Sequence, residues 1–142
     1  MFRPRPGWLV VASAAVLAVS VWLPWLTTPA RGGGRANAAG GTVGSLDLPD
    51  RFGAGQLIVL LASTLLVAGA MVAREISTRW ACLAALTISL CIAALTAWYR
   101  HHYVGNSVSV SYGWYLGAVA AAAAIGCSLW ALVDALRGRR MR

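Results

Sequence analysis

QLIVLLASTLLVAGAMVA-REISTR-WACLAALTISLCIAALTAWY, residues 56–99, holds two uncharged apolar runs of 18 and 20 residues, separated by only six. A helix rises about 1.5 Å per residue, so either run covers the roughly 30 Å hydrocarbon core of a bilayer. Backbone amides in lipid must be bonded internally, which leaves helices or closed barrels. Each run is continuously apolar and about twice the length of a barrel strand, which selects helices. The link Arg74-Glu-Ile-Ser-Thr-Arg79 is short enough to force an antiparallel helical hairpin.

Two further runs flank this hairpin, Trp8 to Leu26 and Trp114 to Leu136, and their only charge is Asp134. The four runs occupy 80 of the 142 residues. A chain this short has no means of hiding four such segments in a water-soluble core. The expected fold is an all-α integral membrane four-helix bundle of antiparallel up-down topology, one membrane domain over residues 1–142. Its spans are 8–26, 56–73, 80–99 and 114–136, with outer loops 27–55 and 100–113, an inner loop 74–79 and a basic tail 137–142.

Charge orients the bundle. All twelve basic residues are Arg, and the net charge is +8. Cytoplasmic segments carry the basic excess of membrane proteins. With both termini inside, eight arginines fall on the inner side, namely Arg3, Arg5, Arg74, Arg79, Arg137, Arg139, Arg140 and Arg142. Only Arg31, Arg35, Arg51 and Arg100 fall outside, so N-in and C-in in the plasma membrane is the expectation. Arginines at span ends set topology, and nucleic-acid binding is not indicated.

Tryptophan offers a second measure of the spans, because its ring favours the headgroup level. Trp8 and Trp25 bracket the first span, Trp80 and Trp98 the third, and Trp114 and Trp130 the fourth. These pairs stand 16 to 18 residues apart, about 24 to 27 Å of helix. All six are expected as interface anchors, with Trp22 one turn inside Trp25. Arg3 and Arg5 before an apolar run, with Ala36-Asn37-Ala38 beyond it, resemble a signal peptide. The run of 19 residues is longer than a signal peptide's core and ends about ten residues before that site, so an uncleaved helix is expected. Pro24 is placed to kink or end it.

In the first outer loop, the Gly-rich half from Arg31 to Gly41 reads as a flexible, disordered tract, whereas Ser45 to Phe52 mixes apolar and acidic residues and reads as a surface or partner segment. In the second, Val108-Ser-Val-Ser alternates weakly like a short strand.

Groups that carry chemistry are few. Charge buried in a bilayer costs several kcal/mol unless used or paired, which makes Asp134 the one intramembrane candidate. Arg137, three residues on, is spaced to pair with it. His101 and His102 are adjacent and point apart on a helix, and the loops add only Asp47 and Asp50, so no metal site is expected. Cys82, Cys91 and Cys127 lie within spans and read as packing residues. There is no Cys-x-x-Cys, zinc-peptidase motif, nucleophile elbow or phosphate-binding Walker loop, and no cofactor or catalytic residue is expected. Small multidrug exporters have a similar plan but depend on a mid-membrane carboxylate, which the first three spans lack.

Packing chemistry remains. The fourth span opens Gly113-Trp-Tyr-Leu-Gly117, and Ala118, Ala122 and Gly126 continue a stripe of small residues. Gly69 and Ala73 form a shorter version in the second span. Small residues let helix backbones approach in lipid, either within the bundle or against another subunit.

Trp22-Leu-Pro-Trp25 closing the first helix, the Gly-rich first outer loop and the Gly-Trp-Tyr-Leu-Gly start of the last one resemble the uncharacterised small four-span membrane proteins of actinobacteria. That resemblance covers nearly the full chain and carries no activity to transfer. Claudin-like proteins share the four-span plan, but the paired loop cysteines expected there are missing. The functional expectation is a non-enzymatic accessory or assembly subunit of a larger plasma-membrane or envelope complex, whose partners are lipid and either another membrane protein or a second copy. The alternative is a small oligomeric transporter or flippase, with Gln56, Ser63, Thr64, Thr87, Ser89 and Thr96 as the residues of a polar path.

Overall fold

The computed structural model describes residues 5–44, 53–105 and 108–140. Four helices carry most of the chain: α1 (Pro6–Ser20), α2 (Ala54–Ala73), α3 (Thr78–Tyr103) and α4 (Tyr112–Arg140). Four short strands join them: β1 (Pro24–Thr28), β2 (Gly34–Asn37), β3 (Thr42–Gly44) and β4 (Ser109–Val110). The fold is thus mostly helical, with a small sheet that the all-α expectation did not include.

Among the described residues, α2, α3 and residues 112–137 of α4 are long and apolar enough to cross a membrane. The first helix is not. It was expected to run to Leu26 and ends at Ser20. Ser20 Oγ turns back to donate to the Leu17 carbonyl at 2.7 Å. The amides of Trp22 and Leu23 still reach Val19 O and Ser20 O, so the last turn tightens rather than stops abruptly. Pro24 then supplies no amide for another turn and forces Leu23 out of helical geometry, so the chain leaves as a strand.

The helices pack in a ring. α1 lies against α2 and α4, and α3 completes the ring against the same two. The buried residues recur at helical spacing, with Val10, Ala14 and Leu17 on α1, Ile58, Ala62 and Leu65 on α2, Ala85 and Ile92 on α3, and Ala120, Ala121 and Ala124 on α4. A seam of alanine on α4 brings its backbone close to the others.

At one end the hairpin between α2 and α3 turns through Arg74–Ser77. Glu75 and Ser77 both take positive φ, at 60° and 48°. Glu75 N–H reaches Val72 O at 3.1 Å and Ile76 N–H reaches Met71 O at 2.9 Å, which closes α2 with a Schellman pair. Arg5 lies 3.8 Å from Glu75 and ties the start of α1 to this turn.

The sheet caps the opposite end, in the order β3-β2-β1-β4, antiparallel throughout. The Gly-rich tract from Arg31 to Gly41, expected to be disordered, instead forms β2 and the turns on either side of it, and β3 follows directly. Arg31, Gly32 and Gly33, with φ of 50°, 89° and 91°, reverse the chain so that Thr28 pairs with Gly34. The weak alternation seen near Val108 is realised as β4, which pairs with β1. Three ties fix the cap to the helices. Ala38 N–H reaches Val21 O at 3.1 Å, Ser111 N–H reaches Trp25 O at 2.8 Å, and Gly55 lies so close to the Ala38 carbonyl that any side chain there would collide with it. The segment Ser45 to Phe52, expected to meet a surface or partner, lies outside the described residues.

Candidate functional site

Beneath the sheet, the residues of the predicted stripe split between two faces of α4. Gly113 and Gly117 face inward. A Cβ on Gly113 would stand 2.6 Å from Pro24 O, and one on Gly117 would stand 2.9 Å from the Trp25 ring and 3.0 Å from Ser20 Oγ. Ala118 is half-buried, whereas Ala122 and Gly126 are exposed, and a Cβ on Gly126 would meet nothing within 4 Å. Gly117 and Ala118 are adjacent and stand about 100° apart around the helix, and each four-residue step adds about 40°, which carries the stripe from the core to the surface. Gly69 and Ala73 face inward too. A Cβ on Gly69 would come within 3.0 Å of Val10, and the Ala73 backbone abuts Gly7 of α1.

Trp25 occupies the centre of the sheet end. It is fully buried, not presented at a surface as an anchor would be. Its Nε1 donates to Ser20 O at 2.7 Å, and its ring meets Tyr99 edge-on at 5.3 Å. The early end of α1 is the reason, since the turn after Ser20 swings Trp25 into the gap that the α4 glycines leave open. Trp8, Trp80, Trp98 and Trp130 are exposed, as is Trp22. Trp114 is half-buried, donates Nε1 to Thr96 O at 3.1 Å, and carries the Arg100 guanidinium 5.2 Å from its ring centre.

Two hollows open at the sheet end. An open groove of about 730 Å³ runs over the sheet between Thr27, Arg35, Val43, Ser109 and the Gly32–Gly34 backbone. A second, of about 290 Å³, is lined by Ala97, Arg100, His101 and Val104. His102 stacks flat on Trp98 at 5.1 Å, so the two histidines do part company. Among the described residues, no group of three His, Cys, Asp or Glu side chains gathers to hold a metal.

At the other end Asp134 lines a cavity of about 170 Å³ with Arg5, Glu75, Thr78 and the close Gly7–Ala73 crossing. Asp134 is exposed, and the expected pair with Arg137 does not form. Among the described residues Arg5–Glu75 is the only ion pair.

The six residues proposed for a polar path do not converge. Ser63, Thr64 and Thr87 are exposed and Gln56 half-buried, while Ser89 and Thr96 are buried. The hydroxyls of all five Ser and Thr residues donate to carbonyls of their own helices. Sequence reasoning missed two buried groups instead. Tyr99 Oη and Ser128 Oγ find no hydrogen-bond partner among the described residues. Their positions give no signal without the fold, because a Tyr at a span end and a Ser in an Ala-rich helix are both ordinary. Cys82 is buried, Cys91 exposed and Cys127 half-buried, and all three are free thiols.

Compared with models of known families, with curated proteins and with solved structures, the chain matches none of them.

Proposed function

We propose that this chain is a multi-pass protein of the plasma membrane, with both termini cytoplasmic, acting as a non-enzymatic accessory or assembly subunit of a larger membrane or envelope complex. The length and apolarity of α2, α3 and α4 support membrane insertion. On this reading α1, about 22 Å long over its 15 residues, crosses together with the extended residues beyond its end. The exposed tryptophans near the ends of α1, α3 and α4 suit a headgroup belt.

The observation that carries the partner reading is the outward strip Ala122 and Gly126, beside half-buried Ala118. Gly in a helix interior costs about 1 kcal/mol relative to Ala. At Gly113 and Gly117 close packing offsets that cost, but Gly126 faces open space in the monomer. A helix from another subunit approaching there would supply the missing contact.

The test is affinity purification of the tagged chain from its native membrane in mild detergent, with mass spectrometry of what accompanies it. Ala122→Leu and Gly126→Leu should accumulate normally and lose the stoichiometric companion by about tenfold or more. An unchanged companion in both variants would sink the reading.

A small oligomeric transporter is the second reading, favoured by the cavity that gathers Asp134, Glu75, Arg5 and Thr78 at the tail end. Under the accessory-subunit reading Asp134→Asn is tolerated, since its carboxylate is exposed and makes no ion pair with a described residue. Loss of function at normal protein levels in that variant would move the assignment to the transporter.

A further inference from the structure

We propose that the hollow lined by Ala97, Arg100, His101 and Val104 holds the phosphate of an anionic phospholipid headgroup in the outer leaflet, an inference that rests on the membrane reading above. Arg100 is exposed, and no carboxylate of a described residue pairs with it. Its position is nonetheless restrained. The Trp114 ring beneath it is fixed by the bond from Nε1 to Thr96 O, and the guanidinium lies 5.2 Å over that ring. Contact with the ring face leaves the in-plane N–H donors free, and guanidinium geometry matches phosphate oxygens two at a time. A cation already held in place loses less freedom when the anion arrives. His101 lines the same hollow and adds an imidazole, whereas His102 is occupied by its stack on Trp98.

The surroundings choose a lipid over a free ion. Ala97 lines the hollow one turn along α3 towards the span, and Trp98 beside it is exposed. A ligand seated here therefore has a phosphate-binding group at one end and an apolar helix surface leading away from it. The groove over the sheet differs, because Arg35 there shares the lining with hydroxyls and glycine backbone as well as Pro29 and Val43, and no membrane-spanning helix contributes to it.

The full-length chain, purified in mild detergent, would be exposed to equal amounts of dioleoyl phosphatidylglycerol and dioleoyl phosphatidylcholine, and the retained lipid counted by native mass spectrometry. One basic group at a membrane surface is worth about a fivefold preference for the anionic lipid. The wild-type chain should show that preference, Arg100→Gln should fall to near parity, and Arg35→Gln should keep it. Trp114→Phe, which frees the ring from Thr96, should weaken it in part. No preference in the wild type, or full preference in Arg100→Gln, overturns the proposal. Displacement of phosphatidylglycerol by inorganic phosphate would make the free ion the ligand and overturn the lipid assignment. Release of the protein from native membranes by alkaline carbonate, measured separately, would bring down the membrane reading and this inference with it.

Discussion

Glycines 117 and 126 sit on one helix nine residues apart and should answer the same substitution with opposite signs. At Gly126 an added methyl meets nothing within 4 Å, so Gly126→Ala gains the helix preference of Ala alone, about 0.5 to 1 kcal/mol. At Gly117 the same gain is set against a Cβ placed 2.9 Å from the Trp25 ring and 3.0 Å from Ser20 Oγ. The ring has little room to yield, held as it is by Nε1 on Ser20 O at 2.7 Å and by the Tyr99 edge. Overpacking of a close-packed site costs roughly 1 to 3 kcal/mol, so Gly117→Ala should be destabilised by about 0 to 2.5 kcal/mol net. The two variants should therefore differ by about 1 to 3 kcal/mol. The assay is reversible unfolding in mixed micelles, titrated with a denaturing detergent and monitored by tryptophan fluorescence. Equal stabilities, within about 0.5 kcal/mol, would mean that Trp25 does not pack on α4 and would refute the reasoning.

The same geometry sets two further outcomes. Trp25→Phe loses the bond to Ser20 O and part of the ring volume, and should cost about 1 to 3 kcal/mol in the same titration; a neutral result would return Trp25 to the surface. Glu75→Gly should leave stability unchanged or raise it by up to about 1 kcal/mol, because relief of a left-handed residue outweighs an exposed ion pair and the added freedom of the unfolded chain. A drop of more than about 1 kcal/mol would show that the Arg5–Glu75 contact matters more than its exposure implies.

The helical part of this fold was legible because apolar length is a strong signal: α2, α3 and α4 begin and end within about four residues of the runs read from sequence. The sheet was not. Its strands are two to five residues long, rich in Gly and Thr, and too short to show a period. β1, β2 and β3 pair through short local turns, and only β1 with β4 joins residues far apart in the chain. Pro24 was a visible breaker, but the conformation the chain takes after a breaker depends on those pairing partners. Trp25 misled for a related reason. Its 17-residue separation from Trp8 fits a span only if the helix continues, and the helix stops five residues earlier. The small-residue stripe divides between two faces of α4, because Gly117 and Ala118 are neighbours about 100° apart on the helix.

The pairing of β1 with β4 has a consequence for biogenesis. Thr27 and Ser109, whose hydroxyls meet at 3.1 Å, are 82 residues apart. At ribosomal speeds of about 5 to 20 residues per second, β1 waits several seconds for its partner. During that interval the first loop has one unsatisfied edge, and Trp25 lacks the α4 glycines that seat it. Chains interrupted before α4 therefore carry an open strand edge and an unburied indole. The burial of Trp25 therefore reports that α4 has docked on the rest of the bundle.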